Sequence, residues 1–501
     1  MNAADLAVYD AFFGGVAEEM GEALMRAATS VNIKERRDLS CALFDGEGRL
    51  VAQAAHIPVH LGAMPLSVRA ALERCPPGDG DVVVLNDPWA GGTHLPDITA
   101  IARAGSFLVA NRAHHADVGG AAPGSLGLAR DIHGEGLRIP PVRLVRGGEV
   151  DEEMMALLVA NMRGPAERRQ DLLAQVATLR RGIQRLADAR DPETRLLAAA
   201  DALRAAARGA AEKVLATIPS GVHRFADALD GDLRIEVALS VADGRLRVDF
   251  TGTHPQVEAP LNANYAVTLS AVTYALALLL PPETPLNEGV QGVLDVHAPE
   301  GTLVHARYPA PVAGGNVETS QRIVDVVLGA LAQACPDRVP AASQGTMNNL
   351  TVGGAGFTYY ETMAGGAGGA PTAAGASCVH THMTNTRNTP IEALENEMPL
   401  RVDELAVRSG SGGAGAQPGG DGMVRTVRFL APCVVHLLTD RRVKQPYGLQ
   451  GGAAGARGRN TLLRADGSQE DVGGRAGFEV APGDRLRLET PGGGGWGNAV
   501  Q

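Results

Sequence analysis

The sequence predicts an α+β, multi-domain protein, β-rich with glycine-rich loops and a long helical segment in the middle. Three observations predict it. Apolar residues alternate along short runs that end in tight turns, as at Leu39-Cys41-Leu43 and Leu233-Ile235-Val237-Leu239, the two-residue period of half-buried strands. From about Asp151 to Ile218 the apolar spacing lengthens to that of a helix. From Ala341 onward glycines gather in runs that punctuate short β-like stretches. At 501 residues the chain is long enough for several domains. The boundaries read as an N-terminal α+β unit over 1–150, a helical segment over 151–220, an α+β middle unit over 221–340 and a glycine-rich, β-rich unit over 341–501.

In chain order, Leu6, Tyr9, Phe12, Val16, Met20 and Leu24 recur at helical spacing and predict one amphipathic helix over the first thirty or so residues. Gly14-Gly15 and Gly21 weaken it and point to a close neighbour. Leu39 to Leu43 and Leu50 to Ala54 flank Asp45-Gly46-Glu47-Gly48 and predict a hairpin. His56 and His60 follow; Pro58 between them argues against a helix, so hydrogen-bonding or substrate-lining roles fit better than shared ligation. Val82 to Leu85 reads as a buried strand, and Gly136 to Val145, interrupted by prolines, as an extended sheet edge. Gly164-Pro165 breaks the long helical block once, and that block reads as an arm or a subunit contact. Asp230 to Thr253 predicts a second hairpin turning at Asp243-Gly244. Tyr265 to Leu280 predicts a buried helix, and Val317 to Cys335 another, with Asn316 as its cap. Val424 to Phe429, Val434 to Leu438 and Arg485 to Leu488 are β-like.

Composition excludes several functions. The net charge is −11 and no basic stripe exists to neutralise phosphates, so nucleic acid is not an expected partner. The longest apolar stretch, near Ala271 to Leu280, is too short to span a bilayer, so no membrane contact is expected. The five cysteines are dispersed without a CxxC pair, and the first residues lack a basic signal region; both favour a cytoplasmic location. None of the glycine runs is a GxxxxGKS before a helix or a GxGxxG opening a βαβ unit, so no nucleotide-binding motif is present.

The stretch richest in chemistry runs from Asn86 to Gly120. Val82 to Leu85 empties into a turn at Asn86-Asp87-Pro88 and a bend at Gly91-Gly92, followed by His94 and Asp97. Ile98 to Ala102 and Phe107 to Ala110 make a hairpin centred on Gly105, in which numbers of facing residues sum to about 210. Asp97 then faces roughly Ala113, and His114 and His115 land beside it and near His94. Two imidazoles and a carboxylate converging on a glycine-lined loop form the ligand set of a divalent metal with open positions. The competing reading is a group of ordinary hydrogen-bonding histidines near strand ends.

Taken together, ERRDLSCALFD, VAQAAHIPVHLGAM, NDPWAGGTHLPDIT, VANRAHHADVGG, GGNVETSQRIVDVV, SQGTMNN, HTHMTNTRNTPIEALE, QPYGLQGG and TPGGGGWG resemble the B subunit of hydantoinase/5-oxoprolinase-type enzymes, relatives of acetone and acetophenone carboxylase large subunits. The resemblance implies a division of labour. A separate ATP-binding chain of the hydantoinase A type phosphorylates the carbonyl oxygen, in an expected A2B2 complex. The B subunit then completes the reaction at one divalent metal ion, Zn, Mn or Fe. It implies His94, Asp97 and His114 as metal ligands and Asp38 of ERRDLS as a further one.

Amide resonance protects a small cyclic amide from water, and phosphorylation of its oxygen supplies a good leaving group. What remains is a nucleophilic water, whose pKa a metal lowers from about 16 to near 7. His115 and Asp117 are the candidates for base or water-orienting group. Asn348, Asn349 and Arg387 are candidate pocket residues, and the glycine loops are expected to shape an internal path between subunits. The expected function is thus the metal-dependent hydrolytic subunit of an ATP-dependent amidohydrolase acting on hydantoin, N-methylhydantoin, 5-oxoproline or another lactam. The rivals are the large subunit of an ATP-dependent ketone carboxylase and a structural partner of the ATP-binding subunit.

Overall fold

A computed structural model of the protein describes residues 1–54 and 56–499. Its first unit is a seven-stranded sheet made of β1 (Leu39–Asp45), β2 (Leu50–Ala54), β3 (Val82–Leu85), β4 (Asp97–Ala104), β5 (Phe107–His114), β6 (Val142–Arg146) and β7 (Glu149–Val150), in the order β2-β1-β5-β4-β3-β6-β7. The predicted proline-interrupted edge is the β6–β7 side. Alternation along the central strands loads both faces. Leu39, Cys41 and Leu43 of β1 pack with Phe13, Val16 and Met20 of helix Ala3–Ala27. Ala42 and Phe44 point the other way, onto Met64, Val68 and Ala71 of helix Ala63–Arg74. The sheet is therefore the middle of three layers, and its inner strands are buried on both sides.

The helical block is three helices, Glu152–Ala160, Pro165–Ala187 and Glu193–Leu215. Gly164, at φ +67, and Pro165 make the predicted break; Pro192 makes a second one that the apolar spacing ran straight through. Leu172, Val176 and Leu179 join the same cluster as Met20 and Val109, so this block lies on the first sheet instead of standing out as an arm. Gly21 has the close neighbour expected of it, since a Cβ there would lie 2.9 Å from His56 Cε1. Gly14 and Gly15 have none within 4 Å.

The middle unit pairs β8 (His223–Leu229), β9 (Leu233–Ala242) and β10 (Arg245–Asp249) antiparallel, with β11 (Leu294–His297) added parallel to β10. Helices Tyr265–Ala277 and Ser320–Ala334 cover it. The cap expected at Asn316 is not made: Gly315–Thr319 is a π-helical turn, and Asn316 lies inside it. The C-terminal unit holds a four-stranded and a five-stranded sheet, with Val435 and Leu437 of one packed on Val427, Phe429, Leu486 and Leu488 of the other. The runs 424–429, 434–438 and 485–488 are all strands there.

The glycine segments between these strands pack on one another. Stretches around 365–376, 411–420, 448–456 and 491–497 run extended and bond to one another directly: Gly369 N–H to Gly494 O at 2.8 Å, Gly413 N–H to Gly493 O at 2.8 Å, Gly493 N–H to Gly420 O at 2.9 Å. A Cβ on Gly493 would sit 1.9 Å from Ala367 O, and one on Gly494 2.0 Å from Tyr447 O. The absent side chains are what let backbone pack on backbone. Among the described residues no helix is long and apolar enough to cross a membrane, and the five cysteines are free.

Candidate metal centre

The loop 86–96 is tied at both ends. Asn86 donates its side-chain amide to Leu95 O at 2.7 Å and Leu137 O at 2.9 Å, and accepts from Ile139 N–H at 2.6 Å. Gly91 has φ +82, and a Cβ on it would meet Ser67 N at 2.3 Å, so only glycine passes beneath helix Ala63–Arg74. Asn264, which caps helix Tyr265–Ala277, also donates to Thr93 O at 2.7 Å. The return of the loop delivers Thr93 and His94 to the start of β4.

Across the hairpin the register is Asp97↔His114 through Ala104↔Phe107. The turn is two residues, Gly105-Ser106, so facing numbers sum to 211 instead of the expected 210 or so. That shift of one puts His114, not Ala113, opposite Asp97. His114 Nδ1 lies 3.1 Å from Asp97 Oδ1, and His94 Nδ1 lies 3.3 Å from Asp97 Oδ2. One donor atom from each of the three residues falls within 4.8 Å of the others, with relative exposures of 2%, 1% and 2% for His94, Asp97 and His114.

The electrostatics suit ligation. Burial drives the His94 pKa down to about 3 against the pull of Asp97, leaving a neutral ring with a free lone pair. Burial pushes the Asp97 carboxyl up, yet His94, His114 and His60 together hold it well below the usual carboxylate range. Asp97 Oδ2 also accepts from Thr93 Oγ1 at 2.5 Å and contacts His60 Nε2 at 3.3 Å, while His60 Nδ1 meets Ser40 Oγ at 2.9 Å. The hydrogen-bonding role expected of His60 is thus made to the carboxylate of the cluster. Both nitrogens of His94 and Nε2 of His114 are buried without a hydrogen-bond partner among the described residues. Buried polar atoms are normally satisfied. A cation held by these lone pairs would satisfy them, so the donor set fits a divalent metal.

Around the cluster, the Tyr360 ring stacks on His114 at 4.9 Å and 24°, and the Arg36 guanidinium lies over Tyr360 at 4.7 Å. Tyr360 donates its hydroxyl to Asn349 Oδ1 at 2.9 Å, and Asn349 donates to Glu318 Oε1 at 2.7 Å. Asn316, Met347, Met383 and Thr384 close the remaining wall of a cavity of about 20 Å³. Gly315 is required beside it, because a Cβ there would meet Asn262 O at 1.9 Å.

Of the residues singled out from the sequence, His94, Asp97 and His114 come together. Asp38 is on the same cavity wall, with Oδ2 4.0 Å from His114 Nδ1. His115 and Asp117 are not brought there. Neighbouring strand residues face opposite sides, so His115 turns to helix Pro165–Ala187, where its Nε2 meets Gln175 Oε1 at 3.0 Å. Burial lowers its pKa to about 4. Asp117 is consumed by the turn after β5, accepting from Gly119 N–H, Gly124 N–H and both the backbone and side chain of Arg163 at 2.7–3.1 Å. Asn348 is bound to Gln344 and Arg442, Asn349 supports Tyr360, and Arg387 is exposed. Sequence reasoning missed Thr93, Asn316 and Tyr360. The first two stand inside the quoted THLPD and GGNVET segments, but no spacing rule brings Tyr360 from 246 positions away onto His114.

A buried pair of imidazoles and a carboxylate, carried on a hairpin of a mixed helix–sheet protein, defines a class of candidate metalloprotein. The chain belongs to the Hydantoinase B/oxoprolinase family, which it matches over residues 2–499. It is 41% identical to 5-oxoprolinase 1 of Arabidopsis thaliana over 99% of its own length; it spans 42% of that longer protein. It is 30% identical to a putative D-/L-hydantoinase B-type chain of a Pseudomonas species, over 97% of this chain and 88% of that one. Among solved structures, the ATP-dependent caprolactamase of Pseudomonas jessenii superposes with a TM-score of 0.91 at 26% identity, over 99% of this chain and 91% of that chain. An acetone carboxylase shares the fold with a TM-score of 0.90 at 16% identity, over 99% and 76% of the two chains.

Proposed function

We propose that this chain is the metal-dependent hydrolytic subunit of an ATP-dependent enzyme that opens a small cyclic amide after a separate ATP-binding subunit has activated it. The observation that carries this reading is the set of unsatisfied ring nitrogens of His94 and His114 on either side of Asp97. Family membership and the likeness to a 5-oxoprolinase, a hydantoinase chain and a caprolactamase support the substrate class. In this reading His94, Asp97 and His114 hold one divalent cation, and Asp38 completes the donor set from β1. Such a cation would supply Lewis acidity and lower the pKa of water. His60 and Thr93 fix the rotamer of Asp97 by holding Oδ2, which frees Oδ1 and the two rings to keep their spacing. Tyr360 and Arg36 shield the rings from bulk solvent, which strengthens every charge interaction within.

The test is co-expression with the ATP-binding partner, metal analysis of the purified complex, and a screen of lactams, hydantoins and ketones for ATP-dependent loss. Stoichiometric metal with turnover of a cyclic amide, both lost in His94→Ala, is the expected result. Turnover of a ketone with bicarbonate in place of any amide would transfer the chain to the carboxylase reading. Full amidase activity in metal-free His94→Ala would end the proposal.

A further inference from the structure

A cavity of about 660 Å³ opens where the turn between β8 and β9 meets the C-terminal sheets, and it shares no lining residue with the metal centre. Five arginines face it against two aspartates. Neither aspartate is spare. Asp230 is taken up by the backbone N–H groups of Arg442, Val443 and Lys444 at 2.6–3.1 Å, and Asp471 lies 3.4 Å from Arg459. In a protein of net charge −11, this is a local concentration of positive charge in a concave site, where fields are focused.

Arg442 is the most informative member. Two other buried arginines nearby have carboxylate partners: Arg322 of the middle unit has Asp440 at 2.9 Å and Arg441 has Asp325 at 2.7 Å. Arg442, 9% exposed, is held only by neutral oxygens, Asn348 Oδ1 at 2.8 Å, Asp440 O at 2.7 Å and Asn460 Oδ1 at 2.9 Å. Among the described residues its Nε has no partner and no carboxylate pairs with it. Burial lowers its pKa to about 10 against the pull of the Glu318, Asp230 and Asp440 carboxylates, none of which forms an ion pair with it. The rim is cleared for guanidinium groups: a Cβ on Gly458 would sit 2.8 Å from Arg442 Nη1, and one on Gly231 3.3 Å from Arg475 Nη2. The Arg457 side chain lines the cavity, is exposed, and makes no hydrogen bond or ion pair among the described residues.

We propose that this cavity binds a phosphate-bearing small molecule of nucleotide size, with Arg442 at its floor and Arg457, Arg459 and Arg475 around its phosphates. Guanidinium forks match phosphate oxygens two at a time, and arginine is preferred over lysine for that reason. The volume falls within the range of small-molecule sites, roughly 300–1,000 Å³. No phosphate loop is needed, because the charge comes from side chains gathered out of separate loops.

Titration calorimetry of the full-length chain at low salt tests this, with inorganic phosphate, pyrophosphate and ATP as probes. The double variant Arg457→Gln/Arg459→Gln changes only exposed side chains, and Arg442→Lys probes the floor while keeping the charge. Saturable one-to-one binding of pyrophosphate or ATP is expected. It should weaken about tenfold or more in the double variant and in Arg442→Lys, and remain intact in His94→Ala. Preference among the three probes separates a polyphosphate ligand from a monophosphate one. Absence of saturable binding by any probe at millimolar concentration overturns the proposal. So does affinity unchanged in the double variant, or affinity lost in His94→Ala. Should no probe bind while the double variant fails to retain a co-expressed partner chain, the cavity is a protein-docking surface and the proposal falls.

Discussion

The candidate metal centre and the glycine core are both buried, yet they meet the cost of burial in opposite ways. In the glycine core, N–H and carbonyl groups of the extended segments pair with each other, and backbone packs closely on backbone. At the candidate metal centre, side chains are packed to 1–2% exposure while both ring nitrogens of His94 and Nε2 of His114 are left without hydrogen-bond partners among the described residues. The first arrangement satisfies every group it can and needs only close approach. The second withholds satisfaction from particular atoms, which marks where a ligand belongs. The contrast separates burial that builds the fold from burial that keeps a site ready.

The strongest way to break the comparison is Gly493→Ala. The added methyl would stand 1.9 Å from Ala367 O and 2.7 Å from Gly368 N, backbone atoms that cannot give way, so the variant should fail to accumulate as folded protein or lose on the order of 4 kcal/mol or more, read by thermal melting. Survival with an unchanged melting curve would mean that the segments are not held as described. Next is His94→Ala, which should abolish bound metal and ATP-dependent amidase activity while leaving the melting temperature of the metal-free protein nearly unchanged. A large loss of metal-free stability would make His94 a structural residue. His60→Ala should keep the metal but weaken its binding by about 10–100-fold, because Asp97 loses a contact that orients it. His115→Gln, on the opposite face of the strand, should leave metal content as it was; metal loss there would show that the two faces are not separate.

A smaller effect is expected from Glu135, buried with its carboxylate facing Val312 N–H and Ala313 N–H. Burial nevertheless pushes its pKa up to about 8 from an ordinary 4.5. The fold therefore binds this proton more tightly than the unfolded chain does. The associated stability is complete below about pH 4.5 and is lost as the pH rises toward 8. Denaturant melts at pH 5 and pH 8 should differ less for Glu135→Gln than for the natural protein, and an unaltered difference would refute the assignment. The smallest change, and opposite in sign, is Gly14→Ala. Its helix position has nothing within 4 Å, so the variant should gain about 0.5–1 kcal/mol.

Much of this was legible in the sequence, and the reasons differ by region. The β9–β10 hairpin followed from two-residue alternation, because one face lies against a core, and Val82–Leu85 followed from an unbroken apolar run, because both of its faces are buried. The meeting of Asp97 and His114 followed from a local hairpin, since only 17 positions separate them and one turn sets their register. Expectation and structure part where one residue decides the outcome. Centring the turn on Gly105 misplaced His114 by one position and brought His115 to the wrong side. Asp117 was lost to a turn whose hydrogen bonds have no signature in spacing. Tyr360 and Asn316 reach the cluster from other units, and the glycine core depends on contacts among four distant segments. Such contacts are tertiary and leave no periodicity behind.

The space beside His94 and His114 holds about one water molecule and no ring of a cyclic amide. If the proposed reaction takes place at this cluster, the Tyr360 plate or the Met383–Thr384 wall must swing aside to admit a cyclic amide. Chemistry at the cluster then proceeds no faster than that opening.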